Sequence, residues 1–297
     1  METNVALIIV YNHRYEQNID VLERIYSGRF SSIFHLVPFY KGDRLNVIPV
    51  YESSYYFQGY FAQGLNRFFN ERFDHYIFVA DDLLLNPVLT ENNYQEIFGI
   101  DDKSSFIPHI KQLHNLPSWW SWTKEAGYFR IQRKDVEIYR ELPDYKGAEK
   151  VFKKFNLEIK PVPIENIFTS EEIEHRKNVA PEEYSDAYQL DYPLVKSYSD
   201  IVVVSRKIIR EFCHYCGVFA AANLFVEIAI PTALVLCKRL IVQETDLSLQ
   251  GKPLWTNSDY ELLNPYMQNL KALMDHFPAS FLYLHPIKLS IWNTQEI

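Results

Sequence analysis

In the stretch HYIFVADDLLLNP (75–87), an apolar run stops abruptly at two adjacent carboxylates, Asp81 and Asp82. Paired carboxylates suit a divalent cation. Mg2+ and Mn2+ prefer oxygen ligands and often bind one or two carboxylates together with substrate phosphates. A strand would point the two side chains to opposite faces, but a turn directly after it can make them converge. The plain alternative is a solvated pair, which is how Asp101 and Asp102 read. Glu227 is a lone carboxylate in the very apolar stretch AANLFVEIAIPTAL. Burial raises the pKa of an unpartnered acid, which suits a general base or a ligand for an acceptor hydroxyl. Internal pairing is the competing expectation. Trp119, Trp120 and Trp122 in LPSWWSWTKEAGYFR (116–130) could form a platform for stacking on a sugar, or a packed loop. Cys213 and Cys216 have CxxC spacing, but no second ligand pair accompanies them, so buried thiols are expected.

These groups need elements to position them. ALIIVY (6–11), IFHLVPF (33–39), NVIPVY (46–51) and HYIFVA (75–80) read as strands. Ile19, Leu22, Ile25 and Tyr26 recur at helical spacing between the first two. A helix rich in apolar residues spans Phe57 to Phe69, and Thr90 caps a short one over 91–98. This alternation predicts an α/β fold with a mostly parallel, Rossmann-like central sheet flanked by helices. Such sheets bind ligands at the carboxyl ends of their strands. Asp81 and Asp82 fall at that edge, as do Tyr11, Asn12, His13 and Arg14 after the first strand. YSDIVVVSRK (198–207) predicts a further strand, 208–238 a helical region, and SFLYLHPIKLS (280–290) the last strand. The division expected is one portion at 1–105 and a second at 106–297, the latter with a polar insertion around 143–195. Residues 160–195 hold eight acidic and three basic side chains, which predicts a surface insertion or mobile loop.

The 297-residue chain has 30 Lys and Arg against 38 Asp and Glu, a net charge of −8, which argues against nucleic acid as a partner. Aromatic content is high at 15%, which can be core or can serve sugar stacking. Residues 218–237 nearly reach spanning length, but Glu227 near the centre would cost about 2.5–3.5 kcal/mol in a bilayer. Asn223 and Pro231 interrupt the run as well, so a buried helix pair is expected. The N-terminus carries no basic leader. The expected location is cytoplasmic, with peripheral association at the inner membrane face as the variant.

The strand ending in VADDLLLNP resembles the donor-binding half of GT-A glycosyltransferases, whose signature is an Asp-x-Asp element after an apolar strand. In exostosin-like members the element runs Val-Asp-Asp-Asp. Aligned on that form, Ala80 replaces the first acid. The resemblance makes Asp82 the metal ligand and gives Asp81 the donor ribose, sugar or a metal-bound water, beside Tyr11 and Asn12. It makes His285, in FLYLHPIKLS, the histidine that completes the metal site, and Glu227 the acid at the start of a helix facing the acceptor. The implied activity is metal-assisted transfer, with Mn2+ or Mg2+, from a nucleotide-diphosphate sugar to a glycan or lipid-linked acceptor. UDP-sugars lead as donors. If configuration inverts, Glu227 is the base; if it is retained, Glu227 binds the acceptor. The resemblance covers residues 5–100 well and 198–290 loosely. Its rivals are a degenerate relative that only binds glycans or a partner, and a sugar nucleotidyltransferase. The latter should carry a glycine-rich basic loop where this chain has YNHRYEQN.

Overall fold

The four apolar runs of the first 80 residues form four adjacent parallel strands, β1 (Val5–Val10), β2 (Ile33–Pro38), β3 (Val47–Val50) and β4 (His75–Ala80). The computed structural model describes residues 4–116, 121–131 and 137–297. Three later strands extend the same sheet: β5 (Ser105–Phe106), β6 (Ile201–Ser205) and β7 (Ile241–Val242). The spatial order is β7-β5-β6-β4-β1-β2-β3. The sheet is mostly parallel; β6 alone runs against its neighbours β4 and β5. The protein is therefore a mixed α/β fold around a seven-stranded sheet. Strands from both sides of residue 105 pair within it.

Every residue of β1 and β4 is buried, as a continuous apolar run predicts for strands covered on both faces. Ala6, Ile8 and Val10 pack on one side with α2 (Gln58–Phe68), α3 (Ile209–Ala221) and α4 (Val226–Leu236). Leu7 and Ile9 pack on the other with α1 (Asn18–Tyr26) and the C-terminal segment. α2 and α3 cross closely because both carry small residues at the contact. A Cβ on Gly217 would stand 2.9 Å from the Ala62 Cβ, and one on Gly59 would stand 3.0 Å from the Ala220 Cβ.

The apolar run 218–237 is two helices, not one. Asn223, in the left-handed region at φ 56°, turns the chain between α3 and α4. Among the described residues, no helix is long and apolar enough to cross a membrane. The polar stretch 143–195 also contributes to the core. The helix Tyr145–Lys154 buries Ala148, Val151 and Phe152 in the cluster that holds α4. Its acidic balance comes largely from the exposed helix Ser170–Val179 and its surroundings.

Candidate functional site at the carboxyl edge of the sheet

The connections from β1 lead one way, through β2 to β3, while β4 lies on the other side of β1. Such a reversal opens a crevice between the two diverging strand ends. Asp81 bridges it. Its backbone N–H donates to the Val10 carbonyl at 2.9 Å, continuing the β1–β4 ladder. Its carboxylate accepts from the Asn12 N–H at 3.3 Å and from Asn18 Nδ2 at 3.1 Å, so it ties the β1 loop and the start of α1 to β4.

The residues after Asp81 explain the LLLNP that follows. Leu83, Leu84 and Leu85 are fully buried, and Leu84–Leu85 pairs antiparallel with the strand Phe281–His285. Asn86 fixes that strand from its side chain to the Phe281 carbonyl at 2.7 Å, and the Ile287 N–H donates to the Asp82 carbonyl at 2.7 Å. These contacts bring His285 to Asp82 from 203 residues away, with Nε2 and Oδ1 3.0 Å apart. Tyr198 hydrogen-bonds the other ring nitrogen of His285. Asp200 lies 3.8 Å from Nε2. It sits just ahead of β6, where the Ala80 N–H donates to its carbonyl at 2.9 Å.

Carboxyl groups are concentrated here, and their pKa values shift accordingly. Burial, then the charge of Asp82, pushes Asp81 up to about 7. Burial also raises Asp200, against the pull of His285. Burial of His285 disfavours its charged form, but Asp200, Asp82 and Asp81 outweigh that and raise its pKa.

The Asp82 carboxylate suits Mn2+ or Mg2+, whereas the His285 imidazole is a ligand more typical of zinc, iron, nickel or copper. Two ligands about 2.1 Å from a metal and at right angles to each other are about 3.0 Å apart, which is the Asp82–His285 separation. Among the described residues, no three His, Cys, Asp or Glu side chains are grouped around such a point. Asp82 and His285 would therefore hold an ion jointly with oxygens from a substrate or water.

Two cavities flank the crevice and share Asn12. The first, about 250 Å3, is lined by Asn12, His13, Asn18, Asp81, Asp82 and Lys288, among others. The second, about 220 Å3, is lined by Asn12, Tyr55, Ser199, Asp200, Phe225 and Glu227, among others. Glu227 occupies the first turn of α4. Pro231, four residues on, has no N–H for the Glu227 carbonyl, and the Ser197 N–H takes that acceptor at 2.9 Å. The helix start is thus joined to the segment that carries Tyr198 and Asp200. Glu227 Oε2 lies 3.5 Å from the buried Lys196 ammonium. Burial raises Glu227 to about 7, with Lys196 opposing and Asp200 reinforcing the shift. Burial lowers Lys196 in turn, against the pull of Glu227.

Asp81, Asp82, Asn12, Glu227 and His285 thus gather at one edge of the sheet. Tyr11 does not join them as a ligand group. It is fully buried, with its hydroxyl hydrogen-bonded to His35 Nδ1 at 2.9 Å, so the nucleotide contact expected of it is corrected to a core role. Trp119 and Trp120 lie outside the described residues. Trp122, on the helix Ser121–Tyr128, packs against the cluster beneath α4, and the Lys196 ammonium lies 4.6 Å from its ring centre. The aromatic residues lining the second cavity are Tyr55, Phe57 and Phe225 instead. Asn18, Lys196, Tyr198 and Asp200 also belong to the site and were not singled out from sequence. Asp200 had a usable signal: it directly precedes IVVV, and an antiparallel strand presents its start at the ligand edge. No protein-family model matches the chain, and no curated protein matches it.

Proposed function

We propose that this chain is a GT-A-type glycosyltransferase that moves a sugar from a nucleotide-diphosphate sugar, with UDP-sugars as the leading donors, to a glycan or lipid-linked acceptor. One observation carries the reading. An acidic cavity at the strand-order reversal adjoins a second cavity holding a buried carboxylate, and Asn12 lines both. Two substrates held there would react across the end of β1.

In this reading Asp82 and His285 hold Mn2+ or Mg2+, which supplies positive charge for the leaving diphosphate. Lys288, at the wall of the first cavity, adds a cation on the same side. Asp81 orients Asn12 and Asn18 toward the donor through its two hydrogen bonds. Glu227, with a pKa of about 7, is half ionised near neutrality and takes the proton of the acceptor hydroxyl in an inverting transfer.

The test is UDP release from a panel of UDP-hexoses and UDP-N-acetylhexosamines with Mn2+ and acceptor glycans. Asp82→Ala should cut turnover by roughly 10²–10³-fold, the cost of removing an electrostatic contact to developing charge. Full turnover in that variant would refute the metal assignment.

A further inference from the structure

The two cavities differ in charge and in wall chemistry, and the difference constrains the acceptor. Lys288 faces the first cavity and can meet an anionic diphosphate. The second has Asp200 and Glu227 in its lining and, among the described residues, no Lys or Arg. Both carboxylates remain reachable, their side chains 15% and 17% exposed. Lys196 offsets Glu227 from behind the cavity wall and is not itself in the lining. Its side chain is 2% exposed, 3.5 Å from Glu227 Oε2 and 4.6 Å from the centre of the Trp122 ring. Glu125, hydrogen-bonded to the Tyr55 hydroxyl, adds a further acid nearby.

One wall is aromatic. The Tyr55 and Phe225 rings lie 4.4 Å apart, tilted by 41°. Both belong to helix starts: Tyr55 sits in the turn Ser54–Tyr56, capped by the Ser53 side chain, and Phe225 is the residue ahead of α4. Tyr55 is 42% exposed, so its ring is available. Drug-sized ligands occupy roughly 300–1,000 Å3, so a cavity of about 220 Å3 suits a single ring. An aromatic wall facing carboxylates suits a pyranose, which offers an apolar C–H face and a rim of hydroxyl donors.

Resting on the transferase reading above, we infer that the second cavity binds the terminal pyranose of the acceptor on the Tyr55–Phe225 pair, and that this sugar is neutral or amino-bearing, not anionic. Asp200 and Glu227 accept hydrogen bonds from its hydroxyls or ammonium. A uronate would bring a further carboxylate against two that no Lys or Arg in the lining offsets among the described residues, an unfavourable juxtaposition.

The experiment is saturation-transfer NMR at pH 8 on the intact chain. The probes are methyl glycosides of the gluco and galacto series, each as the neutral sugar, the 2-amino sugar and the uronate. UDP with Mn2+ is titrated into the same sample. Transfer from aromatic protons to the neutral or amino sugar is expected, with the matched uronate roughly tenfold or more weaker. Tyr55→Ala should abolish the sugar signal and leave the UDP response unchanged, and Tyr55→Phe should retain both. A uronate that binds as well as its neutral partner would overturn the inference, as would a sugar signal that survives Tyr55→Ala or no sugar signal at all. The UDP titration reads the donor site separately. Sugar binding without UDP binding would leave the sugar preference of the second cavity standing and remove UDP-sugars as the donors.

Discussion

Asp81 illustrates the conflict between stability and function in a single side chain. Its pKa of about 7 lies above the ordinary 3.8. Between those values the folded chain keeps a proton that the unfolded chain has released. The contribution of Asp81 to stability therefore falls as pH rises through that window and stays low above it. A shift of this size corresponds to a penalty on the order of 4 kcal/mol at pH 8. Asp81→Asn should raise Tm by several degrees at pH 8 and leave it nearly unchanged at pH 4. A lower Tm at pH 8 would mean that the charge is compensated in the fold. Glu227 gives a second reading at this scale. If it is the base, turnover at saturating substrate rises as pH climbs through about 7. Glu227→Gln should remove that rise along with most of the activity. An unaltered pH profile in the variant would assign the titration to another group.

At the scale of elements, the site depends on how segments are tied together. Pro231 in α4 leaves the Glu227 carbonyl to the Ser197 N–H. Pro231→Ala restores a competing helical donor and removes an interior proline, which costs about 3 kcal/mol in an unconstrained helix. The variant should keep or raise its Tm, lose hydrogen-exchange protection at Ser197, and turn over more slowly. Unchanged protection at Ser197 would count against this coupling. The elements themselves were largely legible in sequence. The runs now seen as β1 to β4 announced themselves because strands buried on both faces tolerate few polar residues. The boundary at Ala80 was read to the residue because a carboxylate follows it. β6 was legible as a strand but not in direction, because an apolar run has no polarity. Attention to strand ends therefore passed over Asp200 at its beginning. Nothing local marked Tyr55 and Phe225 either, since each flanks a helix start and they meet only through the packing of α2 on α4. The helix that buries Ala148, Val151 and Phe152 falls inside the stretch expected to be a polar insertion, whose acidic charge lies downstream of it.

At the scale of the whole molecule, one sheet brings together residues from the start, middle and end of the chain. Asn12 and Asp81 follow the first and fourth parallel strands, Asp200 precedes the antiparallel β6, Glu227 lies on α4, and His285 ends the strand zipped onto Leu84–Leu85. The Asp82–His285 contact spans 203 residues and ties the last strand to the end of β4. The acidic cavity lies at the strand-order reversal, beside a second cavity lined by carboxylates. The most direct test is calorimetric titration of UDP, GDP and CMP into the chain, each with and without Mn2+, repeated on Asp82→Ala. The transferase account predicts that one nucleotide binds, that it needs Mn2+, and that Asp82→Ala abolishes the binding. Absence of binding by all three nucleotides under both conditions, or binding that persists in Asp82→Ala, would contradict it.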